Sequence, residues 1–401
     1  MLLRSPESFW LLKNGILNSY PSLQENITCD YLVIGTGITG ALISHALMKK
    51  KYDVVMLDKR DVATGSSSAT TSMLQYEIDT PLHVLAGMRG ETAAVDCYKA
   101  GIKSIHTLRK LVKQEKLDCG FEMKKSLQVA HSENSVEDLK KEYDLRVKHG
   151  FDVRWMSSDE LQQEYGMKSF PGILSDVGAS VDAFRMAHQL IKKNADRGMR
   201  VYDHTEIHEV INGNEGVIVV TKNAKVVRAK KIIYCSGFET LSLFKRKYAD
   251  IVTTFACVCE EKFNLYPVLK DVLVWDTDNP YIYMRTTDDE RLLVGGEDIP
   301  YKYNPATDKL KKRKSELLQK KLNKLFPEID FIEDYNWAGA FGVTKDGLPF
   351  IGEHPDFKDA IFVLGLGGNG ITFSTQGMDL VLKIINKKED KLLHYYRFDR
   401  F

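Results

Sequence analysis

The chain has no excess of either charge and no apolar run long enough to cross a membrane. Its 56 Lys and Arg nearly cancel its 55 Asp and Glu. Such balance supplies no field to attract nucleic acid or an acidic membrane surface, so no nucleic-acid partner is expected. Arg4, Glu7, Lys13 and Asn14 interrupt the apolar residues of the first segment, MLLRSPESFWLLKNGIL, which reads as neither signal nor membrane span. A cytoplasmic location is therefore expected. Cysteine is sparse and unpatterned: of six, only Cys257 and Cys259 lie close, as CxC rather than CxxC. That spacing argues against a disulfide framework or zinc site, and no metal is expected. Fixed-period repeats and low-complexity tracts are also missing.

What is present begins at Tyr31. At 401 residues the chain exceeds the size at which one core keeps growing, so two domains are expected. Residues 1–28, with Pro6 and Pro21 as breakers, read as an irregular lead-in. Tyr31 to Ile34 then form an apolar strand, Ile38 to Lys50 have helical periodicity, and Asp53 to Leu57 form a second strand. Between them lies Gly35-Thr36-Gly37-Ile38-Thr39-Gly40. The first glycine permits a tight turn, the second admits a pyrophosphate, and the third lets helix and strand pack closely. The N–H groups and positive dipole end of the helix then face the phosphates. Asp58, eighteen residues past Gly40, stands where a ribose partner belongs. NAD and FAD both use such a unit.

Downstream, helices are expected over 84–117, 135–149, 182–197 and 308–325, the last lysine-rich and solvated on its basic face. Strands are expected at 172–174, 201–202, 216–221 and 232–235, with antiparallel sheet over 251–259 and 281–296. Two stretches favour a flavin. Lys59 to Leu74, KRDVATGSSSATTSML, is rich in small and hydroxyl residues that can run their backbone along a flat ligand. Near the C-terminus, NWAGAFGVTKDGLPFIG (336–352) precedes FVLGLGGNGITFSTQG (362–377), whose glycines open another helix from Thr372 to Asn386.

In these motifs the chain resembles the D-amino-acid oxidase-like FAD oxidoreductases, a family that includes glycine oxidase, sarcosine oxidase and gamma-glutamylputrescine oxidoreductase. The resemblance spans nearly the whole length and rests on GTGITG with Asp58, SSSATTSML, the CSG turn at Cys235, WAG…TKDGLPFIG and GLGGNGITFS. It implies an α/β protein with a Rossmann-like FAD-binding domain and a substrate domain built on a mostly antiparallel sheet. The expected FAD domain is discontinuous, 1–83, 171–243 and 336–401, with the substrate domain at 84–170 and 244–335. Gly35, Gly37, Ile38 and Gly40 would touch the pyrophosphate, and Asp58 and Lys59 the adenosine ribose. Ser66, Ser67, Ala69, Thr70, Thr71 and Met73 would line the flavin and ribityl chain. Ile207 would meet adenine, unless it is simply a core isoleucine. Cys235, Ser236 and Gly237 would form a second loop near the dinucleotide, and Gly367, Gly368, Asn369, Gly370, Ile371 and Thr372 would close over the isoalloxazine.

The family chemistry so implied is oxidation of a C–H beside an amine nitrogen by hydride transfer to the flavin, giving an imine. The reacting carbon must be held about 3 to 3.5 Å away, and no protein nucleophile is required. The substrate would be a small amine or amino acid, with oxygen, a quinone or another protein as acceptor. Two alternatives stay open: oxidation of a hydroxy acid or other non-amine, and a flavin-bound sensor or interaction protein without turnover. His83, His188, His204, His208 and His354 lack a partner pattern that would mark a base.

Two departures from the family bear on the site. Glycine and D-amino-acid oxidases carry a carboxylate-gripping arginine two residues after the glycine of the WAG-like segment, where this chain has Phe341. Arg285, with Tyr283 beside it, is a candidate replacement, and Tyr76 a further substrate-positioning candidate. An ion-paired strand arginine is the alternative reading of Arg285. Relatives with covalent flavin use a histidine near the SSSATTSML stretch or a cysteine near the WAG segment; this chain has Ala69 near the first position and no cysteine after Cys259. The FAD is therefore expected to be non-covalent. Acid precipitation should release the yellow chromophore into the supernatant, and a yellow denatured pellet would contradict this.

Overall fold

The computed structural model describes residues 3–213, 215–261, 267–301, 307–365 and 367–401. Two sheets organise them. The first runs Phe350–His354, Phe357–Leu364, Val226–Tyr234, Ile27–Ile34, Val54–Leu57 and Arg200–Tyr202. Its inner pairings are parallel, and the hairpin Ile207–Asn212 and Val217–Thr221 extends from Val226–Tyr234. Parallel strands carry helices on their faces and so read as continuous apolar runs; Leu32, Val33, Val55, Met56 and Leu57 are fully buried. Helices Ile38–Met48, Ala183–Ala195 and Gly370–Ile385 contribute to one core with this sheet.

The second sheet has nine strands, ordered Glu333–Val343, Asp250–Cys259, Leu292–Pro300, Ile282–Thr286, Val272–Asp276, Glu122–Val129, Gly172–Ser180 and Met73–Gln75, with Val153–Met156 paired beside Gly172–Ser180. Its pairings are antiparallel except between Val272–Asp276 and Glu122–Val129. The lysine-rich helix Asp308–Leu325 buries Leu318 and Leu322 in the core of this sheet and turns its basic face outward. No helix among the described residues is long and apolar enough to cross a membrane.

The strands depart from the expected domain boundaries in three places. Met73–Gln75, Gly172–Ser180 and the part of Glu333–Val343 from residue 336 onward fall in spans expected for the FAD domain, but all three strands belong to the nine-stranded sheet. Their register partners lie there: Gly172–Ser180 against Glu122–Val129, and Glu333–Val343 against Asp250–Cys259. The lead-in is also not wholly irregular. Phe9–Asn14 is a short helix, its chain entry after Pro6, so neither breaker interrupts it. Trp10 is fully buried, and Phe9 stacks on Trp337 with centroids 5.7 Å apart. The apolar FWLL run thus serves as an anchor onto the WAG strand.

Candidate FAD and substrate site

The turn after Ile27–Ile34 exists because glycine is the residue that fits it. Gly35 has φ 106°, and a Cβ there would stand 2.7 Å from the Cys235 carbonyl oxygen. Gly40 is tighter: a Cβ would lie 1.9 Å from the Gly35 carbonyl oxygen. The third glycine therefore does what its spacing implies, seating helix Ile38–Met48 against its own strand. Thr36 donates its N–H and its hydroxyl to the same Asp58 oxygen, each at 2.8 Å, while the other Asp58 oxygen accepts from Arg60 N at 3.0 Å. The acid thereby ties the glycine loop to the end of the second strand. The N-cap of helix Ile38–Met48 is Gly37, no acid sits in its first turn, and the Ser67 hydroxyl takes only the Ile38 N–H at 2.9 Å, which leaves the rest of its positive end for an external anion.

From this end a cavity of about 1020 Å³ runs to the start of helix Gly370–Ile385. That helix is likewise without a side-chain cap or an acid in its first turn. Thr39 and Ser374 hydroxyls, 2.7 Å apart, join the two helices directly. Gly365 and Gly370 approach so closely that a Cβ on either would crowd the other's carbonyl, at 2.5 and 2.7 Å. Asn369 then donates its amide to the carbonyls of Glu77 (2.7 Å) and Gln75 (3.2 Å). Residues more than three hundred apart in sequence thus form the two ends of one cavity.

Along its wall, Ser66–Ser68 make one 3-10 turn, and the Ser67 hydroxyl accepts from Ile38 N at 2.9 Å. Beyond it the backbone leaves regular structure, and three successive carbonyls find side-chain donors. Ala69 O accepts from Trp337 Nε1 (2.8 Å), Thr70 O from Trp10 Nε1 (2.6 Å) and Thr71 O from Arg285 Nε (2.7 Å). Each donor comes from a different part of the chain.

Most sequence-predicted residues line this cavity: Gly35, Gly37, Ile38, Asp58 and Lys59 at one end; Ser66, Ser67, Ala69, Thr70, Thr71 and Met73 along the wall; Ile207, Cys235, Ser236 and Gly237 beside the first loop; and Gly367, Gly368, Asn369, Gly370 and Ile371 at the far end. Tyr283 and Phe341 line it too. Gly40 and Thr372 do not: Gly40 is spent on helix packing, and the buried Thr372 hydroxyl donates to the Asn369 carbonyl at 2.8 Å.

Two candidates are corrected. Arg285 is 2% exposed and is absent from the cavity wall. Its guanidinium donates to the carbonyls of Thr71, Thr286 (3.0 Å) and Val181 (3.1 Å) and lies over the Trp10 ring, leaving it no free edge for a substrate. Burial lowers its pKa to about 10, so it stays cationic near neutrality. Tyr76 also faces away, stacked on Phe151 at 5.7 Å with Ser175 donating to its hydroxyl at 3.1 Å.

Other residues on the cavity wall carry no mark in the sequence. Glu239 takes two bonds from Arg60, at 2.8 and 2.9 Å, and one from Lys59 at 3.0 Å, building a charged clamp beside Ser236 and Gly237. Asp79, Tyr281 and Thr254 line the far chamber near Phe341 and Tyr283. No local signal marked them, because three separate strands and a loop contribute one or two residues each.

The donor set suits FAD: an anion site at one helix start, a flat wall of constrained backbone, and a second helix start for a polar ring edge. Residues 30–381 match the DAO family, described as FAD dependent oxidoreductase. The chain belongs to this family. It is 25% identical over 99% of its length to a putative Rieske 2Fe-2S iron-sulfur protein of Bacillus subtilis, covering 76% of that protein. It is 23% identical to glycine oxidase of Geobacillus kaustophilus, over 90% of this chain and 93% of the relative. Gamma-glutamylputrescine oxidoreductase of Escherichia coli is also 23% identical, over 95% and 88%. Among solved structures, that of Geobacillus kaustophilus glycine oxidase has a TM-score of 0.80 at 21% identity, covering 93% of this chain and 99% of the other. The protein is thus an FAD-dependent oxidoreductase with the Rossmann-like and substrate-sheet architecture described above.

Replacing Gly40 by alanine should strip this oxidoreductase of its cofactor, because the new Cβ meets backbone that cannot yield. Gly37→Ala meets only the Ser67 hydroxyl, at 3.0 Å, and should retain more. The flavin-to-protein absorbance ratio after gel filtration reads both variants. A full complement of flavin in Gly40→Ala would contradict this packing role.

Proposed function

We propose that the enzyme oxidises a C–H bond next to an amine nitrogen of a small amine or amino acid, giving an imine that water then hydrolyses. The observation that carries this reading is the chamber beside the helix start at Gly370, walled by Phe341, Tyr281, Tyr283 and Thr254 and continuous with the flavin wall at Thr71 and Met73. Bound FAD supplies the two-electron acceptor for the hydride. The chain's own residues position and enclose. Burial, with Asp298 nearby, raises the Tyr283 pKa to about 12, so its phenol remains protonated and acts as a hydrogen-bonding group rather than a base. Hydride loss from a neutral amine requires no such base. Aromatic walls exclude water from the carbon being oxidised, and the N–H groups at the start of helix Gly370–Ile385 can stabilise negative charge that accumulates at the ring edge. Relatives named for glycine and for gamma-glutamylputrescine agree with substrates of this class.

Anaerobic mixing of the holoenzyme with a panel of primary and secondary amines, amino acids and hydroxy acids tests the reaction class. Bleaching of the flavin's visible absorbance by a nitrogen compound, with its imine-derived carbonyl recovered afterwards, is the expected result. Bleaching by hydroxy acids alone, or by nothing in the panel, would overturn it.

A further inference from the structure

Among the described residues, the charges that line the far chamber are of one sign. Asp79 and Glu77 line the cavity there, and Asp298 stands behind Tyr281 and Tyr283, acting on both phenols. The cations near these acids are committed to other partners. Arg146 is shared between Glu142 at 2.7 Å and Glu77 at 3.6 Å, Lys314 is held by Glu297 at 3.0 Å, and Arg285 is turned onto backbone carbonyls. The cations on the cavity wall belong elsewhere: Lys59 and Arg60 to Glu239, and Lys358 to strand Phe357–Leu364 of the parallel sheet. At the position where an arginine would face a carboxylate the wall presents the Phe341 ring.

Asp79 occupies a space that the glycine loop leaves for it. A Cβ on Gly367 or on Gly368 would stand 2.8 or 2.6 Å from its carboxylate oxygens. Gly368 N donates to one of those oxygens at 2.7 Å, and no ion pair reaches Asp79 among the described residues. Asp79 is itself exposed, with its carboxylate open to the cavity that it lines. Glu77 adds a second acid to this wall, held only by the shared Arg146 guanidinium at 3.6 Å. It is only 4% exposed, it lines the cavity, and neither of its carboxylate oxygens has a hydrogen-bond partner. A buried acid held this loosely is only partly compensated by that guanidinium.

We propose that the substrate is a cationic amine with no carboxylate beside the oxidised carbon, of the diamine or polyamine class, and that Asp79 receives its non-reacting ammonium group. This rests on the amine reading above and narrows it. A zwitterionic α-amino acid would bring its carboxylate into a chamber that offers an aromatic ring and two acids. A second ammonium along a polyamine has Glu77 to meet in the same cavity.

Two ligands that do not turn over separate this inference from the reaction class. Holoenzyme is titrated with tetramethylammonium chloride and, separately, with sodium acetate, and binding is read from the flavin difference spectrum. The wild-type protein should bind the cation more tightly than acetate by about tenfold or more. Asp79→Asn, which keeps an oxygen for Gly368 N and removes only the charge, should weaken the cation by about tenfold and should not weaken acetate. Tighter binding of acetate by the wild type, no spectral response to the cation, or an unchanged cation affinity in Asp79→Asn would each overturn the proposal. Loss of flavin from Asp79→Asn would overturn it as well, by assigning the carboxylate to the cofactor. Failure of the amine panel leaves these affinities measurable, so the two readings fall separately.

Discussion

Three adjacent backbone carbonyls, those of Ala69, Thr70 and Thr71, set the shape of the cavity wall proposed to hold the flavin. They lie in a stretch with no helix or strand to satisfy them, and buried carbonyls left unpaired are costly. Their donors are two indoles and a guanidinium from the lead-in helix, the substrate sheet and the WAG strand. Each donor is itself buried, which holds its side chain in place against the carbonyl. The irregular backbone is therefore fixed from behind while its other side stays open to the cavity. The nine-stranded sheet and the N-terminal anchor must both be in place before this wall exists, which couples the cavity to segments distant in sequence.

That constraint explains the fate of Arg285. On sequence grounds an arginine beside Tyr283 could replace the carboxylate-binding residue lost at Phe341. In the fold its strand turns the guanidinium to the opposite side, where three carbonyls and the Trp10 ring use its donors and its face. The residue is important to the site, yet it acts on the wall and not on a substrate. Among the described residues the chamber wall near Phe341 then carries acids, Asp79 and Glu77, and no free cation.

Local signals made the cofactor end legible. The turn at Gly35 and the packing at Gly40 are decided within a few residues, so spacing alone identifies them, whereas the tie from Asp58 to Thr36 appears only in the fold. The helix Asp308–Leu325 was equally readable, because its apolar stripe has helical period and its end is marked by Pro327. The substrate chamber was not, since Thr254, Tyr281, Phe341 and Asp79 meet only through strand pairing between distant segments. Trp10 was missed for a related reason: a breaker at Pro6 says where a helix cannot be, and nothing nearby says that the next residues bury an indole against Thr70. Strand membership of Gly172–Ser180 and Glu333–Val343 was likewise fixed by pairing partners, which periodicity does not reveal.

The claim that side-chain donors hold the flavin wall is tested most directly by the FAD dissociation constants of Trp10→Phe and Trp337→Phe, each of which removes one N–H and keeps an aromatic ring. The account predicts that each variant weakens FAD by roughly tenfold, the scale of one buried carbonyl left unpaired. Variants that lose thermal stability while binding FAD as tightly as the wild type would contradict it.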